Sequence, residues 1–455
     1  MKKKPQKAYI VTVDMGYGHQ RAVNPLKEMA AVPPMSIPLD TKNPIICANN
    51  YPGISRIDKV RWEGGRKVYE TVSRMKKLPI IGKYIFGVMD HLQRIEPFYP
   101  KRDLSKPTAQ VNQIYRMIGR GWGKDLIDKL NENPLPYITS FFSTAFFAEE
   151  HGYKEEIYCI CTDTDISRAW VPKYPKKSRI KYFAPNKRVK ERLQLYGVRA
   201  ENIYVTGFPL PKENIGNFSD SEVLRASLGC RISNLDPRGV YQKKYDAVIQ
   251  DYLGKQFCRI DKKHRLTITF AVGGAGAQRD IGVTILKSLK KFIDNKEIQL
   301  NLVAGSRVDV FRYYRRELKK LGLEKESRSC VDIIYAENKL DYFALFNKVL
   351  LTTDILWTKP SELSFYAGLG LPIIMAPTIG SQEDFNRTWL HAVGAGMEQE
   401  DPRYTHQWLF DWLESGWLAQ AAMEGFLDAP KHGTYHIEKI VFEGKRSEIE
   451  DRHLL

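Results

Sequence analysis

Cysteine is scarce in this chain, with six among 455 residues, and long apolar runs are missing. A membrane-spanning helix needs about 20 consecutive apolar residues. The longest candidates, 78–89 and 369–380, are broken by Lys83 or by proline and glycine. A transmembrane protein is therefore not expected. The opening MKKKPQK precedes an apolar stretch, as in a secretion signal, but 8–13 is too short for one and runs into a glycine turn. It reads instead as a first buried strand. The cysteines show neither CxxC nor zinc-ligand spacing. Cys159 and Cys161 stand two apart in a predicted strand and so face one side. This pattern reads as reduced, buried thiols of a cytoplasmic protein. Acidic residues are also in deficit, 53 against 70 lysines and arginines, for a net charge of +17. That balance favours anionic partners: nucleic acid, acidic lipid headgroups or phosphorylated small molecules.

What is present is the composition of a folded protein, 43% hydrophobic and 27% charged. The length exceeds one ordinary core, so two domains are expected. The first half opens with a strand over 8–13, a turn containing Gly16 and Gly18, and a helix. That is the start of a parallel α/β unit. Further strands are predicted over 137–142, 157–162, 181–185 and 202–206. The second half repeats the plan, with strands over 266–272, 298–303, 331–335, 349–353 and 372–375. From Arg56 to Phe98 the chain is basic and aromatic: nine lysines and arginines stand against three acids up to Lys83, with Trp62 among them and Tyr84 and Phe86 just beyond. This stretch reads either as a docking surface for an anionic membrane or as a solvated face over an ordinary core.

The chemistry-bearing residues cluster in two turns of the second half. Gly273, Gly274 and Gly276 lie between a strand and a helix, where backbone N–H groups can approach a phosphate. Such turns also serve packing alone. The segment TKPSELSFYAGLGLP places Lys359 before a helix opened by Pro360, Ser361 and Glu362. Helix-start amides and a lysine suit a diphosphate, and Glu362 suits the two hydroxyls of a ribose. The bland reading of Glu362 is a favourable charge at a helix start. The next strand delivers GSQEDFN, where Gln382, Glu383 and Asn386 offer partners for sugar hydroxyls. Ser306, after the strand 298–303, completes the donor-side set. Asp163-x-Asp165 has the form of a metal-binding pair but reads as structural, and no metal is expected.

Thr358-Lys359-Pro360, Gly370-Leu371-Pro372, Gly380 through Asn386 and Gly394-Ala395-Gly396 resemble the donor-binding half of glycosyltransferase family 28 and its relatives. These include monogalactosyldiacylglycerol synthases and processive diacylglycerol glucosyltransferases. DMGYGHQRA, CTDTD with Trp170-Val171-Pro172, and the run ending VTGFPL resemble the family's first half. Two features depart from the pattern: Ser361-Glu362 replaces a glycine pair, and Phe365 falls where the family has its ribose-binding glutamate.

The resemblance implies an α/β fold of the GT-B kind, two Rossmann-like domains facing across a cleft. It implies an inverting, metal-independent transferase without a cofactor, the nucleotide-sugar being a substrate. His19 is then the candidate base, with Asp14 or Asp163 orienting it or serving instead. Gly16, Gly18, Trp62, Tyr84 and Phe86 fall on the acceptor side. Expected partners are a nucleotide-sugar, a lipid acceptor and an anionic membrane surface, with no nucleic acid. The expected location is cytoplasmic, peripheral on the inner face of the cell membrane. The expected division is 1–215 for the first domain, 216–262 for a connection, 263–425 for the second domain and 426–455 for a tail that could pack back on the first domain. Two rivals remain: a UDP-sugar epimerase of the same fold, and a basic nucleic-acid-binding protein.

Overall fold

The computed structural model describes residues 6–32, 43–75, 94–255, 258, 264–271, 276, 278–323, 330–378 and 380–449. They form two compact units. The first takes the described residues of Met1–Pro209, Gly380–Phe385 and His432–Leu454; the second takes those of Leu210–Ile379 and Asn386–Lys431. The stretch read as a connection holds two helices of the second unit, Glu222–Leu235 and Val240–Leu253.

Each unit is built on a six-stranded, all-parallel sheet. In the first the strands are β1 (Tyr9–Thr12), β2 (Ile46–Cys47), β3 (Tyr137–Thr139), β4 (Ile157–Ile160), β5 (Lys181–Ala184) and β6 (Ile203–Val205), in the order β2-β1-β3-β4-β5-β6. In the second they are β7 (Leu266–Ala271), β8 (Ile298–Gly305), β9 (Val331–Tyr335), β10 (Ile355–Thr358), β11 (Ile373–Met375) and β12 (Gly396–Glu398), in the order β12-β11-β10-β7-β8-β9. The strand residues are almost continuously buried, as expected when helices cover both faces of a parallel sheet. Both units are Rossmann-like, as the sequence predicted.

The strand expected over 349–353 is not one. Asn338 accepts a hydrogen bond from Asp341 N and caps a helix, Lys339–Leu350, which occupies the start of that run. The strand is the next apolar group, Ile355–Thr358, so Lys359 follows it directly. The cysteine reading also needs correction, because Cys230 and Cys258 form a disulfide. Cys159, Cys161 and Cys330 are buried free thiols, as predicted. Burial pushes the Cys159 and Cys161 thiols up, which keeps them protonated and poorly nucleophilic.

The chain's last described segment lies on the first unit. Ile449 N donates to Val205 O (2.9 Å) and the Arg446 guanidinium to Ile203 O (2.7 Å). The edge strand β6 is thereby covered.

Candidate functional site

In an open α/β sheet, ligands collect at the carboxyl ends of the strands where the strand order reverses. In the first sheet the chain passes from β1 to β2 on one side and then to β3 on the other, so the reversal lies between β1 and β3. His19 sits there. It is the second residue of the helix Gly18–Val23, and its Nδ1 lies 2.9 Å from the carbonyl of Ser140, the residue after β3. The Ser140 hydroxyl returns a bond to the His19 carbonyl (2.7 Å) and meets Thr12 Oγ1 at 2.8 Å. A carbonyl only accepts, so Nδ1 is the donor of this bond. The ring meets Phe141 edge-on, 4.8 Å between centroids, with Trp170 at 6.3 Å.

The other first-unit candidates lie on the same sheet edge. Asp14 follows β1; its N–H donates to Asn49 Oδ1 (2.8 Å), and its carboxylate receives Asn50 Nδ2 (3.4 Å). Gly16 has φ +89°, a left-handed conformation, and nothing lies near the place of a Cβ. Glycine is needed there for its backbone rather than for space. Gly18 begins the His19 helix. Asp163 follows β4 and is half-buried. Asp165 is fully buried and fixed: Arg192 forks onto both its oxygens at 2.8 Å, and Arg188 adds a third bond at 3.1 Å. The pair is thus split between a structural carboxylate and a site-edge one.

Trp62 corrects an acceptor-side expectation. It is 7% exposed and packs against Trp122 (4.9 Å), Phe147 (6.2 Å) and Phe141 (6.4 Å). It is a core residue one ring behind the partner of His19. The helix that bears it, Arg56–Met75, turns Asp58 and Trp62 inward and leaves Ile57 and Val60 exposed at 65% and 63%. Tyr84 and Phe86 lie outside the described residues.

In the second sheet the order reverses between β7 and β10. Ala271 and Thr358 are register partners there, and Thr358 Oγ1 donates to Ala271 O (3.1 Å). Lys359 therefore emerges beside the carboxyl end of β7. Gly273 and Gly274 lie outside the described residues. Gly276 has φ +63°, and a Cβ there would come within 2.8 Å of Val310. Ser306 leaves β8, the neighbour of β7, on the same edge.

Ser361 and Glu362 open a 3₁₀ helix, Glu362–Leu369, not the expected α-helix. Phe365 is buried in it against Trp389, at 5.3 Å, so it belongs to the core. Glu362 stays half-buried at the helix start. Asn386 is fully buried and its amide reaches Pro360 O at 3.5 Å, tying the helix Ser381–Ala392 to the turn after Lys359. Gln382 and Glu383 stand in that helix's first turn, Glu383 buried. Sequence reading missed Ser140 and Phe141. Their place depends on β1 pairing with β3 across 128 positions, which no local pattern announces.

A family model described as a domain of unknown function (DUF6938) matches residues 243–328. Two curated relatives are processive diacylglycerol beta-glucosyltransferases of Bacillus cereus, strains B4264 and ATCC 14579. Each is 22% identical over 326 residues, covering 70% of this chain and 67% of the relative. Among solved structures, S. aureus MnaA with UDP aligns over 100% of both chains at 13% identity and a TM-score of 0.44. Acinetobacter baumannii MurG aligns over 96% of this chain and 99% of its own, at 11% identity and 0.43. UDP-GlcNAc 2-epimerase from Neisseria meningitidis, bound to UDP-GlcNAc, covers 74% and 81% at 14% identity and 0.40. These scores are low, and the fold rests on the strand orders above. The resemblance to lipid-directed glycosyltransferases of the GT-B kind, read from the motifs, is met by relatives that match most of the chain.

Proposed function

We propose that the chain is an inverting glycosyltransferase that moves a sugar from a UDP-sugar to a membrane lipid such as diacylglycerol, without a metal ion. One observation supports this best: each sheet places its own motif at its own strand-order reversal, His19 in the first unit and Lys359 in the second. Lys359 and the Gly276 amide serve the diphosphate, Glu362 the ribose, and Gln382, Glu383 and Asn386 the sugar. His19 Nε2 takes the proton of the acceptor hydroxyl as its oxygen attacks the anomeric carbon. The bond from that carbon to the diphosphate oxygen breaks, and the departing charge stays with Lys359. The Asp165 carboxylate, gripped by two arginines, is in no position to share a metal with Asp163.

The lipid side of the reading is supported by the relatives' substrate and by the helix Arg56–Met75. Its exposed Ile57 and Val60 lie beside exposed Arg56 and Lys59, a pairing suited to an anionic bilayer surface. Among the described residues, no helix is long and apolar enough to cross a membrane, so association would be peripheral.

The test is a donor screen. The purified chain is incubated with a range of nucleotide-sugars and extracted membrane lipids, and both nucleotide diphosphate release and new glycolipid are scored. A glycolipid formed with one equivalent of UDP supports the reading. A rearranged nucleotide-sugar with no UDP released overturns it in favour of an epimerase, and no turnover with any donor overturns it outright.

A further inference from the structure

Exposed large apolar side chains gather on two neighbouring helices of the second unit. Val240, Val248 and Tyr252 stand on the helix Val240–Leu253, and Trp417 and Leu427 on the helix Trp417–Asp428. Trp417 and Tyr252 are 48% and 45% exposed. The two helices run alongside each other, start by start and end by end. The place of a Cβ on Gly416 is 3.0 Å from Tyr241 N, and the rings of Tyr252 and Phe426 are 6.1 Å apart. One exposed apolar side chain needs no explanation, but a row of them on one face marks a contact surface.

The helical period sorts the residues of Val240–Leu253. Tyr241, Ile249 and Leu253 are buried beneath it. Lys243, Lys244, Ala247, Val248, Asp251 and Tyr252 are exposed, at the three- and four-residue spacing of one outer face. Tyr245 interrupts the helical backbone (φ −120°, ψ 24°), and the outer face continues on both sides of it. Charge divides along this face, with Lys243 and Lys244 in its first half and Asp251 in its second. None of the three has an ion-pair partner among the described residues. Asp246 is held by Gln250 of the same helix (2.6 Å), and Lys255 lies beyond the helix end.

Such a face is complementary to its own copy turned about a twofold axis. Antiparallel pairing centred between Ala247 and Val248 sets Lys244 of each copy opposite Asp251 of the other. Lys243 then falls opposite the ring of Tyr252, a cation–π pairing. Parallel pairing would set Lys244 against Lys244, so charge selects the antiparallel arrangement. Ala247 and Val248 are small enough to let the helices approach closely at the axis. Fourteen residues make a face about 21 Å long, and two helices make it about 20 Å wide. A footprint of roughly 400 Å² is below the about 800 Å² per partner of a standard interface, so the association is a weak one.

We propose that this face joins two copies of the chain in a twofold dimer, through antiparallel pairing of the helices Val240–Leu253. The inference does not rest on the transferase reading. Sedimentation velocity of the full chain between about 1 and 100 µM tests it. The expected result is a reversible monomer–dimer equilibrium. Val248→Asp, which sets two carboxylates at the axis, should weaken it at least about tenfold. Lys244→Asp alone and Asp251→Lys alone should each weaken it about fivefold, because two exposed pairs turn from attraction to repulsion. The two single variants mixed together, and the double variant, should restore it, since both return opposite charges across the axis. That rescue separates a lost contact from a damaged fold. A chain that stays monomeric throughout, a dimer indifferent to these substitutions, or losses that neither mixing nor the double variant repairs each overturns the proposal.

Discussion

At His19 a single hydrogen bond bears on the proposed chemical role. The Ser140 carbonyl accepts from Nδ1 at 2.9 Å, and in the neutral ring this bond fits the tautomer that the proposed base role requires, with the lone pair on Nε2. General-base catalysis contributes about 10²–10⁴ in rate. His19→Ala should therefore lower kcat by about that factor, with KM for the donor little changed, because the donor groups are assigned to other residues. Steady-state kinetics on the donor found in the screen would check this. A loss confined to donor KM would move His19 out of the base role. A second residue-scale prediction concerns Lys431, whose ammonium donates to Phe426 O (2.6 Å) and whose pKa burial lowers to about 8. At neutral pH both folded and unfolded chains carry this charge, and the folded one bears its full desolvation cost. Above about 8 the folded state sheds the proton before the unfolded one, whose lysine titrates near 10.4. Stability therefore rises with pH across that window. Lys431→Met should raise the melting temperature at pH 7 and flatten the gain between pH 8 and 10 relative to the parent chain.

The helix Arg56–Met75 separates what was legible from what was not. Its cations and aromatics stood out in the sequence, but composition does not say which aromatic faces in. The helical period puts Asp58 and Trp62 on one face, where Asp58 Oδ2 accepts from Gly123 N (3.0 Å) and Trp62 meets Trp122. Ile57 and Val60 are left for the outside. Trp62→Ala should cost about 3–5 kcal/mol of stability as a core truncation. Ile57→Asp with Val60→Asp should change stability by less than about 0.5 kcal/mol each. That double variant should instead weaken sedimentation with vesicles of phosphatidylcholine and phosphatidylglycerol in equal parts. If the surface pair destabilises the fold while vesicle binding persists, the outward assignment fails. Strand positions were mostly readable because buried parallel strands are short β-branched runs. The exception at 349–353 arose where a capped helix claimed such a run. The disulfide between Cys230 and Cys258 was unreadable, since two distant cysteines give no local signal.

At the scale of the whole molecule, the repeated plan of strand, glycine turn and helix predicted two Rossmann-like units, and two six-stranded parallel sheets result, each with one reversal of strand order. The glycine turns and Lys359 were visible as motifs. That Lys359 rises next to the carboxyl end of β7 was not, because it depends on β10 lying beside β7 although two strands intervene in the chain. On the proposed reading, Lys359, Glu362 and Asn386 of the second unit serve the donor and His19 of the first unit takes the proton, while Gln382 and Glu383 group with the first unit. A titration of UDP into the parent chain, Lys359→Ala and His19→Ala examines that division most directly. Affinity should fall at least tenfold in Lys359→Ala, the loss of one charge-assisted contact at about 1.4 kcal/mol, and should be unchanged in His19→Ala. UDP affinity that is indifferent to Lys359, or that collapses with His19, would contradict the account.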